Sequence, residues 1–176
     1  MQTRFPDALN FILGRRSIRD FQPESVGDAE VQILLESAMA APSAVARDPW
    51  RFVVVRDREM LNRIARGLPN GELLAAAALG IVVGGDITVA QDHQLSYLLQ
   101  DCSAAIENLL LAAHVLELGA CWLGVHPREE RVVLLRSLLG MPASVIPVAV
   151  IAVGRPAETK EPRTRYNPDY VRKERW

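Results

Sequence analysis

The residues best suited to chemistry form a short run near the N-terminus, from Arg15 to Arg19, which reads Arg-Arg-Ser-Ile-Arg. Guanidinium groups are hydrogen-bond donors that form strong, charge-assisted bonds with phosphate, and the serine hydroxyl adds another donor. In an extended segment, Arg15, Ser17 and Arg19 would face one way and Arg16 the other. The run indicates an anion site, while a solvated basic loop that binds nothing is the alternative that residue types alone favour.

Two further segments combine small residues with tryptophan. The loop from Ala41 to Trp50 contains Pro42 and Ser43 and leads into a predicted strand, so its backbone amides would be able to approach a flat ligand. The run from Gly119 to Gly124 places a tryptophan between glycines, which suggests a backbone packed close to a planar group. Both have structural alternatives: a rigid connection with a core tryptophan, and a capped helix followed by a core strand.

Other kinds of chemistry have little support in the sequence. Cys121 has no obvious base to activate it as a nucleophile, and Ser17 and Ser43 lack the strand–turn–helix context of a nucleophile elbow. The three histidines fit no zinc-site spacing, and the two cysteines stand far apart, so we expect neither a metal site nor a disulfide framework. No glycine-rich fingerprint follows the first predicted strand, which argues against a dinucleotide-binding unit or a P-loop.

Length and composition predict one ordinary globular domain. The chain has 176 residues, of which 49% are hydrophobic and 23% charged. Its formal net charge of -1 argues against a nucleic-acid partner. The first residues contain no apolar core of a secretion signal, and no apolar stretch is long enough to span a bilayer. We therefore expect a cytoplasmic protein with no membrane partner.

Hydrophobic periodicity and β-branched runs predict the elements that must position these residues. Helices are predicted over 5–13, 28–39, 57–66, 72–78, 95–118 and 129–139, and strands over 52–55, 81–83, 121–125 and 145–153. Few strands separated by helices indicate an α+β or α/β layered domain around a small mixed sheet. After Gly154 the chain turns polar and proline-rich, which predicts a tail that wraps a partner or is disordered rather than folding on its own core.

Taken together and in order, these segments make the chain similar to the nitroreductase family of flavin enzymes. The similarity runs through residues 15–21, 41–43, 49–52, 101–114, 119–124 and 153–156. Each motif is weak alone, but their joint order and spacing are specific and outweigh the structural alternatives. The resemblance implies an α+β, three-layer fold in a single domain over 1–176, with a small mixed central sheet flanked by helices. It also implies an intertwined homodimer in which residues 155–176 form a C-terminal arm that crosses to the partner subunit.

The resemblance also implies two FMN sites per dimer. Arg15, Arg16, Ser17 and Arg19 would bind the FMN phosphate and ribityl chain, with Arg163 or Arg165 completing the phosphate pocket. Pro42 and Ser43 would approach the flavin from the other subunit, Cys121, Trp122, Leu123 and Gly124 would line the isoalloxazine ring, and Asn70 is a further candidate amide donor. The implied reaction is ping-pong: NADH or NADPH reduces the flavin at N5, and a nitroaromatic, quinone or similar small acceptor reoxidises it. No side chain is expected to act as a dedicated catalytic acid or base.

Two departures from the family pattern concern the loop before the first strand. The family often reads Pro-Ser-x-x-Asn-x-Gln-Pro-Trp there, whereas this chain has Ala46 and Asp48 at the amide positions. Each lost hydrogen bond to the flavin would remove about 0.5–1.5 kcal/mol, and Asp48 would add negative charge if it pointed inward. A flavin-binding or flavin-sequestering protein with little turnover is therefore the alternative function. A degenerate dimer without flavin is a third, against which the retained run from Arg15 to Arg19 argues.

Overall fold

Four strands form one sheet in the computed structural model, which describes residues 7–176. The strands are β1 (Trp50–Val55), β2 (Leu79–Asp86), β3 (Gly119–Gly124) and β4 (Val145–Gly154), in the order β1-β2-β4-β3. All three strand pairings are antiparallel. The sheet was expected to be mixed, and this part of the prediction is wrong for the four strands: the parallel pairing is an isolated bridge between Ser17 and Ala120, on the outer edge of β3.

Helices cover both faces of this sheet. They are α1 (Asn10–Gly14), α2 (Asp28–Met39), α3 (Arg58–Arg66), α4 (Glu72–Ala76), α5 (Leu95–Val115) and α6 (Glu129–Leu139). One core joins α2 and α5 to the sheet face that carries Ile151 and Val153, and the other joins α3, α4 and α6 to the face that carries Val150 and Ala152. This alternation follows from the two-residue period of a strand, and it makes β4 almost continuously buried. The expected three-layer α+β architecture is confirmed.

Each of the six α-helices and four strands described here overlaps a predicted element, but several ends differ. β2 was predicted over 81–83 and runs from Leu79 to Asp86, because its glycines lie inside the strand. A Cβ atom on Gly85 would lie 2.4 Å from Leu98 Cγ, so this glycine lets α5 approach the sheet instead of ending the strand. Residues 5 and 6 of the first predicted helix lie outside the described range.

Two helix ends are capped in the ways their residue types favour. Asp57 accepts a hydrogen bond from Met60 N at 2.8 Å, and Gly140 is the C-cap of α6 in the left-handed conformation with φ 63°. α5 ends at Val115 with Leu116 as its C-cap, and Gly119 opens β3. Within residues 7–176, no helix combines the length and apolar character needed to cross a membrane.

The C-terminal tail divides into two parts. Residues 155–163, here called the strap, lie along the chain's own residues 13–22, where Gln22 N donates to Arg155 O at 2.9 Å and Ala157 N to Asp20 O at 2.8 Å. The expectation that the tail would not fold on its own chain is therefore wrong for the strap. Residues 164–176 are mostly exposed, and Trp176 is 100% exposed. The crossing arm stays a prediction for this second part.

An ion pair attaches the start of the strap to α2. Both guanidinium nitrogens of Arg155 donate to the carboxylate of Glu30, at 2.8 and 2.9 Å, and Gly27 N donates to the same carboxylate at 2.8 Å. The bond from Gly27 and the pairing with Arg155 lower the pKa of Glu30 below its ordinary value of 4.5. A carboxylate with a lowered pKa stabilises the folded state above its unfolded pKa, and this stabilisation is lost as pH falls through the lowered value.

We therefore expect Glu30→Gln to reduce the free energy of unfolding by about 1 kcal/mol at pH 7, because the side chains are partly exposed and solvent screens the pair. The difference from the parent should shrink as pH falls below 4.5. Urea denaturation at several pH values measures it. Glu24→Gln is the control, since Glu24 is exposed and its side chain has no hydrogen bond or ion pair with residues 7–176. A difference that persists unchanged at pH 3 would exclude the ion pair as its cause.

Candidate anion-binding site

The basic segment, defined as Arg15 to Arg19, is attached to the outer edge of β3. Ile18 N donates to Ala120 O at 3.0 Å, beside the bridge between Ser17 and Ala120. A Cβ atom on Gly119 would lie 2.7 Å from Ile18 Cγ2, so the absence of a side chain there allows this close approach. The structure thus brings together two segments that are about 100 residues apart in sequence, the basic segment and the strand of Cys121 to Gly124.

Each guanidinium group of the basic segment already forms a hydrogen bond or ion pair within the protein. Arg15 Nε forms an ion pair with Glu107 Oε1 at 3.0 Å, Arg16 donates to the carbonyl of Glu161, and Arg19 Nη1 donates to Ser17 O at 3.3 Å. Each group keeps further N–H donors, and none of the three arginines is buried. They therefore combine a fixed position with donors still free to bind an anion.

A cleft of about 410 Å³ opens beside this segment. Its walls come from the end of α1, the C-terminal part of α5 and the strap, and Arg15, Arg16, His114 and Lys160 all line it. The expected alternation is wrong here, because Arg15 and Arg16 line the same cleft. Arg15 is the C-cap of α1, and although its backbone is extended, its side chain pairs with Glu107 on α5.

Glu158 and Lys160 are site residues that the sequence reasoning missed. Lys160 Nζ donates to Ser17 O at 2.9 Å and to Glu158 Oε1 at 2.8 Å, and Arg19 N donates to Glu158 Oε1 at 2.6 Å. The bonds from Lys160 and from Arg19 N lower the pKa of Glu158. A polar tail offers no pattern that pairs it with a segment some 140 residues earlier, so only the fold reveals this contact.

The strand β3 presents an open edge beyond its bridge to the basic segment. Ala120 O points to that edge, and the alternation of an antiparallel strand places the backbone groups of Trp122 on the same side. No strand within residues 7–176 pairs with Trp122 there. Trp122 is 37% exposed, and no atom lies within 4 Å of a Cβ placed on Gly124. The edge thus has a Trp122 N–H that pairs with no neighbouring strand among the described residues, and free space beside it at Gly124.

Cys121 and Leu123 point into the protein instead. Both are buried, Leu123 in the core beneath α3, α4 and α6, and strand alternation places Cys121 on the same face, opposite to Trp122. Burial raises the pKa of the Cys121 thiol, and the positive charges of Arg19 and Lys160 oppose that rise. The thiol is therefore protonated near neutral pH, which agrees with the expectation that it is not a nucleophile. Any contact of Cys121 and Leu123 with a ligand at the edge would come from their backbone.

The loop that contains Pro42 and Ser43 lies before β1, at the opposite edge of the sheet from β3. One chain therefore does not bring it to the basic segment. The loop is held internally, because Ser43 Oγ donates to Asp48 Oδ1 at 2.6 Å and Asp48 N donates to Ser43 Oγ at 3.0 Å. Asp48 therefore turns its carboxylate toward its own loop.

Asp101 supports this loop from α5 and was also missed. It is 5% exposed, its Oδ1 accepts from Ala44 N at 2.9 Å, and its Oδ2 has no hydrogen-bond partner among the described residues. The signal was present in the sequence, since Asp101 is a charged residue within the apolar stripe of Leu98, Cys102 and Ala105. A carboxylate in such a stripe needs a polar partner, which here is the loop.

The other predicted residues lie in separate places. Asn70 lies in the turn between α3 and α4 with φ 83° and lines a second cleft, with Arg66 and Glu72. Arg163 ends the strap, where its N–H donates to Leu13 O at 3.0 Å, close to the basic segment. Arg165 lies in the exposed remainder of the tail. Among residues 7–176 no group of His, Cys, Asp or Glu is arranged to hold a metal ion.

Comparison with known proteins agrees with this geometry. The model of the Nitroreductase family matches residues 12–69 and 63–155, which include the basic segment, the sheet and the start of the strap. The chain belongs to the nitroreductase family. A relative from Archaeoglobus fulgidus, provisionally named NADH dehydrogenase/NAD(P)H nitroreductase, is 42% identical over 173 residues, covering 97% of this chain and 99% of the relative.

Solved structures of this family have the same fold. A provisionally named NADH dehydrogenase/NAD(P)H nitroreductase from Parabacteroides distasonis superposes with a TM-score of 0.91 at 36% identity, covering 98% of this chain and 100% of the other. A provisionally named nitroreductase from Desulfovibrio desulfuricans, solved in complex with FMN, gives 0.84 at 32% identity, covering 98% and 99%. The resemblance and the fold predicted from the sequence are thereby confirmed.

Proposed function

We propose that this protein is an FMN-dependent oxidoreductase that takes reducing equivalents from NADH or NADPH and passes them to a nitroaromatic, quinone or similar small acceptor by a ping-pong mechanism. The observation that carries the proposal is the basic segment, fixed at the open edge of β3 in a nitroreductase-family chain. The coarser statement, an NAD(P)H-dependent flavin oxidoreductase, rests on family membership and on the names of the relatives.

The residues at this edge fit the chemistry of FMN. A phosphate monoester carries nearly two negative charges and needs several donors, which Arg16, Ser17 and Arg19 can supply from adjacent positions. The flavin ring is flat with polar atoms along one side, and the Trp122 backbone groups and the free space at Gly124 suit such an edge. The bridge between Ser17 and Ala120 holds the proposed phosphate donors next to the strand edge that would contact the ring.

FMN, when bound, supplies the centre that accepts and donates hydride, so the protein need not provide a redox-active side chain. The basic segment would hold the phosphate next to the edge of β3. The Trp122 N–H, which points to that edge, would be available as a donor to the polar side of the ring, and such a donor favours the electron-rich reduced form. The proposal assigns no side chain as a catalytic acid or base. Cys121, the thiol nearest to this edge, is buried and its pKa is raised.

A homodimer is part of the proposal. An apolar cleft of about 410 Å³ lies between α1, α2 and α5, lined by Phe11, Ile33, Val115 and Leu116 among others. Several of these side chains are exposed in the single chain, Val115 by 64%, and a second subunit would cover them. The loop of Pro42 and Ser43 then reaches a site only in the other subunit. Roles for Asn70, Arg163 and Arg165 at the flavin, and a cytoplasmic location, also stay predictions.

The second candidate function is flavin binding with little turnover. It is favoured by the loop of Ala46 and Asp48, which has no side-chain amide, and by Ser43, whose hydroxyl already donates to Asp48 at 2.6 Å. This loop therefore offers a flavin mainly backbone groups. The same hydrogen bond turns the Asp48 carboxylate toward its own loop, so its negative charge is directed less toward a bound flavin than an inward-pointing side chain would be.

An anaerobic absorbance titration tests both candidates. Purified protein should be yellow and release FMN, not FAD, on denaturation. NADH or NADPH should bleach the visible absorption band of the oxidised flavin, and an added quinone or nitroaromatic should restore it. Yellow protein that neither nicotinamide bleaches would favour sequestration, and colourless protein that ignores added FMN would refute both. Parallel lines in double-reciprocal kinetics would support the ping-pong order, and intersecting lines would contradict it.

A further inference from the structure

One ion pair in the strap is bonded to the backbone of the basic segment at two points. Lys160 Nζ donates to the carbonyl of Ser17 at 2.9 Å, and Glu158 Oε1 accepts from the N–H of Arg19 at 2.6 Å. Lys160 and Glu158 are bonded to each other at 2.8 Å. The two residues therefore form hydrogen bonds with the backbone of Ser17 and of Arg19, while the N–H of Ile18, between them, is bonded to β3.

The pair is sheltered enough to hold a defined geometry. The side chains of Lys160 and Glu158 are 26% and 22% exposed, and Lys160 lies in the wall of the cleft with Arg15 and Arg16. Neighbouring strap contacts, from Ala157 N to Asp20 O and from Arg163 N to Leu13 O, lie on either side of the pair. The basic segment is thus bonded on one side to β3 and on the other to the strap.

We propose that Glu158 and Lys160 are positioning residues for phosphate recognition, an inference that rests on the proposed FMN site. The side chains of Ser17 and Arg19 project from the two residues whose backbone the pair holds. A segment ordered before binding avoids the entropy cost of being ordered by the ligand. Because the pair carries one positive and one negative charge, its contribution is orientation rather than a net attraction for the phosphate.

This neutrality separates positioning from simple charge. The double variant Glu158→Gln/Lys160→Met keeps the net charge of the chain and removes the ion pair and the bond from Lys160 to Ser17 O. A purely electrostatic role would predict little change in affinity for it. A positioning role predicts weaker binding of the phosphate. The contribution of the flavin ring to the affinity should stay the same, because the segment does not contact the ring.

FMN and riboflavin differ only in the phosphate, so their comparison isolates it. Fluorescence titration of the full-length apoprotein should show that the double variant binds FMN about tenfold more weakly than the parent, the loss of roughly one hydrogen bond to a charged group. Its affinity for riboflavin should fall much less, because riboflavin lacks the phosphate and has only the ribityl chain to contact the segment. Lys160→Arg, which keeps a charged donor, should restore most of the FMN affinity when Glu158 is intact.

The matched control is Glu59→Gln/Arg63→Met, a charge-neutral change of the same kind at two exposed residues of α3 whose side chains have no hydrogen bond or ion pair with residues 7–176. It should leave both affinities unchanged. FMN affinity equal to the parent in the Glu158/Lys160 variant, or an equal loss for FMN and riboflavin, would overturn the positioning role. If the double variant does not fold by circular dichroism, the single variant Glu158→Gln decides by the same comparison. A parent that binds FMN no better than riboflavin would refute the phosphate site itself.

Discussion

Replacing Arg16 and Arg19 together with alanine is expected to weaken FMN binding by about 100-fold or more. Each removes charge-assisted hydrogen bonds worth roughly 1.5–3 kcal/mol when the partner is a phosphate. The free energy of unfolding should change far less, because Arg19 is exposed and its Nη1 bonds only to Ser17 O within its own segment. Arg15 is left out of the variant, since its ion pair with Glu107 at 3.0 Å attaches the segment to α5.

Isothermal titration calorimetry with FMN and urea denaturation of the same samples measure the two effects. The control replaces two other arginines, Arg63 and Arg128, which are exposed and whose side chains have no bond to any described residue. This control removes the same positive charge, so any general electrostatic attraction for FMN is lost equally. An affinity in Arg16→Ala/Arg19→Ala that equals the control would show that the phosphate binds elsewhere.

The basic segment illustrates how far the sequence could lead. Its residue types suggested an anion site but did not distinguish such a site from a solvated loop. Only the order and spacing of all the motifs along the chain led to the hypothesis of a cofactor site. Periodicity located α5 and all four strands, because a buried face imposes a regular pattern. The ends were less predictable: glycines in β2 were taken for strand ends, although Gly85 is needed for contact with Leu98.

What the sequence could not predict depends on contacts between distant residues. The pairing of Lys160 with Ser17, the ion pair of Arg15 with Glu107 and the support of Ala44 by Asp101 all join segments that no local pattern connects. Of these residues, only Asp101 could have been noticed in the sequence, because it is a carboxylate within the apolar stripe of a predicted helix. The orientation of Arg15 was predicted wrongly because the strand period took no account of Glu107 on α5, with which its side chain pairs.

Removal of residues 164–176 is expected to raise the dissociation constant of the dimer by about 100-fold or more. This part of the tail carries Tyr166, Tyr170 and Trp176, which are 66%, 81% and 100% exposed in the single chain. Aromatic side chains of this kind commonly dominate interface energies, at about 2 kcal/mol or more each. Because the truncation leaves the strap in place, the basic segment should keep its contacts with Glu158 and Lys160.

A second truncation, after Arg155, separates the arm from the strap. It also removes residues that bond to Asp20 and Leu13, so it should lower the stability of the single chain as well as weaken the dimer. Light scattering over a range of concentrations reports the dimer, and urea denaturation at low concentration reports the chain. A full-strength dimer after removal of residues 164–176 would refute the crossing arm. If FMN affinity is retained when Arg165 is lost with that segment, the phosphate contact from the tail must come from Arg163, whose backbone lies beside Leu13.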